Sequence, residues 1–245
     1  MQTWHLIEGE PGCAFATAHG CVAVVVDALR ASATAAMLFE ARATELIVVQ
    51  EVKDARAAKA QHPDALLFGE RGGLPPPGFD YGNSPRDAAR AAGRPVVFTT
   101  TTGAGRLVAC WGAPAVFMGT TVNASAVIEA TSSFREDVVL IPAGLATDPT
   151  FDAQEDWAAA AAIAAAAGTP IGEGAAAFAH WRRRIQSEGL DRLFNTAPHA
   201  GKLRAVGLDE DIAFCAQMDL TRAVPRAVAR NEFGVRCLPF APPLA

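Results

Sequence analysis

The chain has 245 residues, enough for one large domain or two small ones and for a substantial buried core. Hydrophobic residues make up 51% and charged residues 19%, a balance that excludes a disordered chain. The formal net charge of -5 argues against general nucleic-acid binding, which needs a basic face, but a local group of arginines could still hold a small anion.

Short β-branched runs alternate with Ala-rich stretches along most of the sequence. Strands are predicted at 22–27, 46–50, 65–68, 96–99, 115–118 and 138–141. Helices are predicted at 32–43, 52–61, 85–92, 104–111, 123–134 and 153–167. Continuous apolar strands separated by helices indicate an α/β fold with a mostly parallel sheet covered on both faces.

The C-terminal part has a different residue pattern. After Gly168 the pattern predicts helices at 173–188 and 203–217 and a late strand at 235–238. Neither an internal repeat nor a long linker interrupts the chain. We therefore expect 1–245 to be a single unit, with a subdivision near 145–170 as the alternative.

Composition also bears on the compartment. The cysteines are odd in number and none form a CxxC pair, so we expect a reducing cytoplasm rather than disulfides or a zinc site. No basic segment followed by an apolar one opens the sequence, so we expect no signal peptide. The apolar run 157–167 is shorter than the roughly 20 residues that span a bilayer, so we expect no membrane association. An α/β chain this apolar could form a homodimer.

Two loops stand out by length and composition. The segment 69–84 is rich in Gly and Pro and too long for a minimal connector, which is typical of a functional loop. It ends in Ser84-Pro85, a pattern typical of a helix start. The segment 144–152 leads into a predicted helix that carries Glu155 and Asp156.

Polar residues and glycines gather just past the carboxyl ends of five predicted strands, at 27–34, 69–73, 99–103, 119–125 and 142–144. Ligands of open parallel sheets bind at such positions, and hydroxyls, backbone amides and helix N-termini suit phosphate oxygens. The alternative is that these residues only cap the following helices.

Several of these residues have two interpretations. Asp27 is either a helix cap or a metal ligand, and Ser32 or Thr34 could cap the helix in its place. Glu70 and Arg71 form either a surface ion pair or a pair in which Glu70 binds a cation and Arg71 a phosphate or sulfonate.

The remaining candidates are weaker. Glu155 and Asp156 suit either the first turn of a helix or a magnesium ion, which needs only a few carboxylates. The histidines form no dense metal motif, so we interpret all five as surface or packed residues, namely His5, His19, His62, His180 and His199. The sequence lacks the P-loop, the Rossmann glycine motif, the GxSxG elbow and the cysteine-phosphatase loop.

Three segments resemble the signature segments of the 2-phosphosulfolactate phosphatase (ComB) family: Asp-Ala-Leu-Arg-Ala-Ser-Ala-Thr at 27–34, Gly-Glu-Arg-Gly-Gly at 69–73 and Gly-Phe-Asp-Tyr-Gly-Asn-Ser-Pro at 78–85. Weaker matches follow in order at 99–103, 122–125, 141–144 with 155–156, and 207–212 with 224–225. One departure lies at 100–105, where the family commonly has Thr-Thr-Asn-Gly-Thr-Arg and this chain has Thr-Thr-Thr-Gly-Ala-Gly before Arg106.

The resemblance implies a three-layer α/β/α fold and a phosphoric monoester hydrolase. Such an enzyme would use Mg²⁺ to hydrolyse 2-phospho-3-sulfolactate, a step towards coenzyme M. The alternatives are a phosphatase of another phosphorylated hydroxy acid and a non-catalytic binder of phosphorylated or sulfonated metabolites.

The candidate residues follow from the motifs and the resemblance together. The predicted catalytic residues are Asp27, Arg30, Glu70 and Arg71. The predicted Mg²⁺ ligands are Asp27, Glu70, Glu155 and Asp156. The predicted substrate-binding residues are Ser32, Thr34, Gly72, Gly73, Asn83, Ser84, Thr101, Thr102, Gly103 and Asn123. Attack by water and attack by Asp27 as a covalent nucleophile both remain open.

Overall fold

The computed structural model describes residues 2–148 and 150–241. The strands within this part of the chain are β1 Trp4–Leu6, β2 Val22–Val26, β3 Leu46–Val49, β4 Leu66–Gly69, β5 Val96–Thr99, β6 Val116–Met118, β7 Val138–Pro142, β8 Pro225–Arg230 and β9 Gly234–Pro239. The α-helices are α1 Gly9–His19, α2 Ala31–Glu40, α3 Val52–Gln61, α4 Gly103–Ala109, α5 Ala124–Ser132, α6 Gln154–Ala167, α7 Ala175–Glu188, α8 Leu190–Thr196, α9 Pro198–Ala205 and α10 Asp209–Cys215. Two short 3₁₀ helices occupy Pro85–Ala91 and Thr121–Asn123.

The strands form one mixed, mostly parallel sheet in the order β1-β7-β2-β6-β8-β9-β3-β5-β4. The block β1-β7-β2-β6 is parallel throughout, and so is the block β3-β5-β4. Between them lies the antiparallel hairpin β8–β9, which pairs antiparallel with β6 on one side and with β3 on the other. Because all three of these pairings are antiparallel, the two parallel blocks run in opposite senses.

Continuous apolar strands explain why both faces of the sheet are covered. Every residue of β2 is buried, and alternate side chains enter different cores. Val22, Val24 and Val26 join the cluster that includes α5, α6 and α8, whereas Ala23 and Val25 join the cluster that includes α1 and α4. Helices therefore flank both faces, and the predicted α/β/α class is confirmed.

The cluster that includes α1 and α4 connects the two parallel blocks. It contains Ala23 and Val25 of the first block together with Val48, Val96 and Phe98 of the second. The other face of the second block packs against α3. The single-unit organisation of 1–245 stays a prediction.

Some predicted elements were wrong or missing. The single helix predicted at 203–217 is two helices, α9 and α10, because the chain turns at Gly207, whose φ of 76° suits glycine. The segment predicted as a helix at 85–92 is a 3₁₀ helix. Strands β1 and β8 and helices α1 and α8 were not predicted, whereas the late strand was confirmed as β9. None of the described helices combines the length and the apolar character that crossing a membrane requires.

Candidate active site

A pocket of about 420 Å³ lies where the loops after β2, β4, β5 and β7 meet the C-terminal helix α9. The loops after β2 and β5 come from oppositely running blocks, yet they line the same cavity. Nine of the predicted site residues line it: Asp27, Arg30, Glu70, Gly72, Gly73, Asn83, Thr101, Thr102 and Asp156. Gly144, which the sequence pattern placed at a strand end without assigning it a role, also lines it. Sequence interpretation missed His199 and Lys202 and gave no role to Thr147.

Asp27 directly follows β2 and is buried at the floor of this pocket. Its Oδ1 accepts a hydrogen bond of 3.0 Å from the backbone N–H of Ala31, so one oxygen caps α2. Its Oδ2 has no hydrogen-bond partner among the described residues. Burial raises the pKa of Asp27, and the nearby charges of Glu70 and Glu155 raise it further. The two interpretations of Asp27 are therefore compatible, because one oxygen caps the helix and the other is free.

Ser32 and Thr34 do not line the pocket, although both were predicted to bind substrate. The Ser32 hydroxyl accepts a hydrogen bond from the backbone N–H of Asp27 and donates one to the carbonyl of Val25. The Thr34 hydroxyl donates to the carbonyl of Asn83. Both side chains are fully buried, so their structural effect is to hold Asp27 and the 69–84 loop in position.

Glu70 ties the two loops after β4 and β5 together. Its Oε1 accepts a hydrogen bond of 2.6 Å from the backbone N–H of Thr101, and its Oε2 accepts one of 2.9 Å from the backbone N–H of Gly73. Both carboxylate oxygens are thus engaged by the backbone. This arrangement orients Thr101 and Gly73, which themselves line the pocket.

Arg30 is 2% exposed and also bonds to the glycine loop after β4. Its guanidinium donates to Asp211 Oδ2 at 2.5 Å and to the carbonyl of Gly73 at 3.0 Å. Ser84, predicted to bind substrate, donates to the other oxygen of Asp211 at 2.7 Å and caps the 3₁₀ helix that follows it. Arg30 therefore links α10 and the glycine loop, while part of its side chain still faces the pocket.

Arg71 and Asn123 lie away from the pocket lining. The Arg71 guanidinium donates to the carbonyls of Glu70 and Gln50 and to the Thr99 hydroxyl. The Asn123 side chain is fully buried and accepts from the backbone N–H of Thr120. Asn123 satisfies a buried backbone group, whereas Arg71 bonds to backbone carbonyls at partly buried and exposed positions. The structure does not place either side chain in the lining of the site that was predicted for it.

Gly103 also lies outside the pocket lining but in contact with its floor. A Cβ built on Gly103 would lie 2.5 Å from Asp27 Oδ2 and 2.7 Å from the Cβ of Ala31. Only a residue without a side chain allows α4 to begin this close to the carboxylate.

The first turn of α6 supplies two buried acids. Asp156 accepts hydrogen bonds from the backbone N–H groups of Ala28 and Gly144, at 2.8 and 3.1 Å. Burial raises its pKa well above the ordinary value, and the charges of Glu155 and Asp27 act in the same direction. Glu155 is 1% exposed, and its Oε2 is buried without a hydrogen-bond partner.

His199 of α9 lies over this acidic cluster and pairs with Glu155, with 3.2 Å between Nδ1 and Oε1. Burial lowers the pKa of His199, but the bond to Glu155 and the charges of Asp27 and Glu70 raise it more, so its pKa is above the ordinary value. The interpretation of His199 as a surface or packed residue missed this position. Nothing local in the sequence signals it, because its partner lies far away in the chain.

Lys202, one turn further along α9, adds a second cation to the same wall. Its Nζ lies 4.4 Å from the centre of the Phe151 ring, and the side chain lines the pocket. Together with Arg30 and His199, it lines the same pocket as Asp27 and Asp156. The cavity therefore presents positive groups to a ligand beside a group of buried acids.

The carboxylates can be tested for their fit to Mg²⁺. Among the described residues, no three His, Cys, Asp or Glu side chains are placed as a ready-made metal site. Mg²⁺ commonly uses only one or two carboxylates, together with waters and substrate phosphates. Glu155 Oε2 is buried without a hydrogen-bond partner, and the hydrogen bond of the Asp27 carboxylate uses Oδ1, which leaves Oδ2 available. A hard cation therefore fits these oxygens and would offset the charge of the cluster.

This pocket and its charges define an α/β protein with an enzyme-like site for a small anionic ligand. A family model described as 2-phosphosulpholactate phosphatase matches residues 13–230. The chain belongs to this family, which confirms the resemblance predicted from the motifs, and its enzyme class is that of the phosphatases.

Similar proteins match this chain over most of their own length. A "Probable 2-phosphosulfolactate phosphatase" of Deinococcus radiodurans is 34% identical over 226 residues, which cover 89% of this chain and 92% of that protein. Proteins of the same name from Carboxydothermus hydrogenoformans and Thermus thermophilus are 34% and 36% identical. The matched segments cover 82% and 87% of this chain and 84% and 90% of those proteins.

Proposed function

We propose that this protein hydrolyses the phosphate ester of 2-phosphosulfolactate to sulfolactate and phosphate, in a Mg²⁺-dependent reaction. The observation that carries the proposal is the pocket that Asp27, which has one oxygen without a hydrogen-bond partner among the described residues, lines together with Arg30, His199 and Lys202. The substrate is that in the names of the relatives. A place in coenzyme M biosynthesis, a cytoplasmic location and a homodimer are parts of the same proposal.

Asp27 and Glu155 would hold the ion, because they carry unpartnered oxygens in the cluster. Bound Mg²⁺ supplies positive charge that polarises a phosphoryl group and lowers the pKa of a bound water. Glu70 and Asp156 orient the surrounding loops through backbone hydrogen bonds.

Three cationic side chains would bind the substrate. Its phosphate, carboxylate and sulfonate together carry more negative charge than one arginine can match, and Arg30 is already paired with Asp211. We therefore assign the phosphate to Arg30 and His199 and the sulfonate to Lys202, next to the loop backbone at Gly72.

Two routes fit the free oxygen of Asp27. In the first, Asp27 Oδ2 attacks phosphorus, the ester P–O bond breaks and sulfolactate leaves with its hydroxyl oxygen protonated; water then hydrolyses the aspartyl phosphate to phosphate and free Asp27. In the second, a water attacks phosphorus directly, the same P–O bond breaks, and phosphate and sulfolactate are released. Borohydride reduces an aspartyl phosphate but not a free carboxylate. Reduction of Asp27 during turnover, detected by mass spectrometry, supports the covalent route, and its absence during rapid turnover supports water attack.

The main test measures phosphate release from 2-phosphosulfolactate with Mg²⁺ and with a chelator. We expect Mg²⁺-dependent release that Asp27→Asn lowers at least 100-fold, whereas the exposed control Asp64→Asn keeps the wild-type rate. If neither 2-phosphosulfolactate nor any of a panel of phosphorylated hydroxy acids releases phosphate, the phosphatase proposal is wrong, and the chain is better described as a binder.

The assignment of the sulfonate has its own test. Lys202→Ala should raise KM for 2-phosphosulfolactate about tenfold, because a charge-assisted contact is lost, and should change KM for phospholactate much less. Lys53→Ala, at an exposed position on α3, is the matched control. Equal effects on both substrates would contradict a sulfonate contact at Lys202 without affecting the phosphatase assignment.

A further inference from the structure

A second pocket, of about 350 Å³, lies beside the first and shares a wall with it. Thr101 and Thr102 line both cavities. Most of the rest of the second pocket comes from residues to which the proposed reaction gives no role, on α1, on α4 and just after it, at the end of β8 and after β3, and Ala146 of the loop after β7 completes it.

Two arginines line this cavity, and neither forms a salt bridge among the described residues. Arg106 lies on α4, and its Nε donates to the carbonyl of Ala143 at 3.1 Å. That bond fixes the guanidinium, while its two terminal nitrogens have no hydrogen-bond partner in the part of the chain that the structure describes. Arg106 is therefore held in position with most of its donors free.

Arg230 reaches the same cavity from the last position of β8. Its backbone is fixed by the pairing of Arg230 with Val235 of β9, and its side chain is exposed and lacks a partner among the described residues. The one acid that lines the pocket is Glu10, which is exposed and also unpaired within the described chain. Glu8 lies close to Arg106 but bonds to Trp157 instead. The lining thus carries an excess of positive charge.

The other lining groups suit an organic ion better than a hydrated one. Trp111 and Val108 supply apolar surface, and Gln50 with the two threonines supplies hydrogen-bonding groups. A guanidinium binds carboxylate, phosphate or sulfonate oxygens through its planar set of donors. A cleft lined by charges of one sign also concentrates ions of the opposite sign.

We propose that the second pocket binds a small organic anion, carrying a carboxylate, phosphate or sulfonate group, between Arg106 and Arg230. The apolar part of the ligand would pack against Trp111. This site adjoins the substrate pocket at Thr101 and Thr102, but its two arginines do not line that pocket. The proposal does not depend on the phosphatase activity.

Trp111 provides a local readout. Wild-type protein is titrated with phenylphosphonate, whose carbon–phosphorus bond a phosphatase does not hydrolyse, and with sulfate, while chloride holds the ionic strength constant. We expect a saturable change in tryptophan fluorescence that disappears in Trp111→Phe, which separates this pocket from ligand bound near Trp157. Phenylphosphonate should bind more tightly than sulfate.

The arginines supply the decisive comparison. Arg230→Ala should weaken the binding reported by Trp111 at least tenfold, because one charge-assisted contact is lost, and Arg106→Gln should act in the same direction. Arg182→Ala, at an exposed arginine of α7, is the control and should leave binding unchanged. Arg230 is exposed, so its substitution leaves the core intact, and circular dichroism checks the fold of each variant. No saturable signal from Trp111, or the same affinity in Arg230→Ala as in the wild type, would overturn the proposal.

Discussion

Gly103, the first residue of α4, lies directly against the carboxylate proposed to act in catalysis. A Cβ at this position would lie 2.5 Å from Asp27 Oδ2 and 2.7 Å from the Cβ of Ala31. Non-bonded carbon contacts are optimal at about 3.5–4.0 Å, so Gly103→Ala must push Asp27 and Ala31 away by about 1 Å. A misplacement of about 1 Å in a catalytic site can cost about 100-fold in rate.

We therefore expect kcat/KM for phosphate release to fall about 100-fold in Gly103→Ala. Overpacking costs about 1–3 kcal/mol, and replacing Gly by Ala in a helix returns about 0.5–1 kcal/mol, so the free energy of unfolding should fall by about 0–2.5 kcal/mol. Gly105→Ala in the same helix is the matched control. Its Cβ would come no closer than 3.7 Å to the Gln50 side chain, an ordinary contact. This control should keep its activity and gain about 0.5–1 kcal/mol.

Urea unfolding and initial rates measured on both variants complete the assay. If Gly103→Ala matches Gly105→Ala in both quantities, the close contact between α4 and Asp27 is wrong. If Gly103→Ala loses stability but keeps its rate, the contact is real, and Asp27 does not need this position for catalysis.

Three further predictions concern charged groups around the site. Arg30→Ala should lower the free energy of unfolding by about 3–5 kcal/mol, because it leaves the carboxylate of Asp211 buried without its counter-charge. The control Arg184→Ala breaks a more exposed ion pair and should cost about 0.5 kcal/mol. Urea unfolding measures both. The pKa of His199 is raised by folding, so its charged form stabilises the fold fully below the ordinary value near 6.5, and this stability is lost as the pH rises through the higher folded pKa. With chelator present, the Tm of the wild type should therefore fall as the pH rises through that window, and the Tm of His199→Gln should not. Equal dependence of Tm on pH in the two proteins would contradict the ion pair with Glu155. Mg²⁺ at 100 times its Kd should stabilise the wild type by about 2.7 kcal/mol in thermal unfolding and stabilise Glu155→Gln much less; an equal gain in both would remove Glu155 from the metal site.

The sequence predicted the part of the site that depends on local patterns. An apolar run that ends abruptly in Asp27 or Thr99 marks a buried strand and the start of its loop, and strand length leaves little freedom in where the loop begins. Asp27, Thr101 and Gly73 were therefore assigned to one cavity without knowledge of the sheet order, and all three line it.

The sequence could not predict which polar residues serve the backbone instead of a ligand. Arg71 and Asn123 are of types that suit phosphate, but each bonds to nearby backbone groups instead. For Asn123 the bonded N–H of Thr120 is buried, so a partner for it is needed. Whether a polar side chain binds the backbone or a ligand depends on tertiary contacts. Arg71, for example, bonds to Gln50, which follows a different strand.

The contribution of α9 was also beyond local patterns. His199 and Lys202 reach the pocket only because α9 packs over strand ends that come much earlier in the chain. Their recognition needed the pairing of His199 with Glu155, a contact that neither helix shows alone. The sequence also did not predict that the two parallel blocks run in opposite senses, because the strands that separate them come last in the sequence.

The position of the β8–β9 hairpin has a consequence for how the protein is made. The strands that flank it, β6 and β3, have both left the ribosome long before residues 225–239, and each parallel block can assemble while the rest is still being synthesised. The hairpin then has to enter between two preformed edges and pair with both. Until it does, β6 and β3 each present an open edge, which is the kind of surface on which nascent chains join one another. A chain that terminates before Pro225 would keep every pocket-lining residue of the first cavity and still lack the strands that connect its two walls.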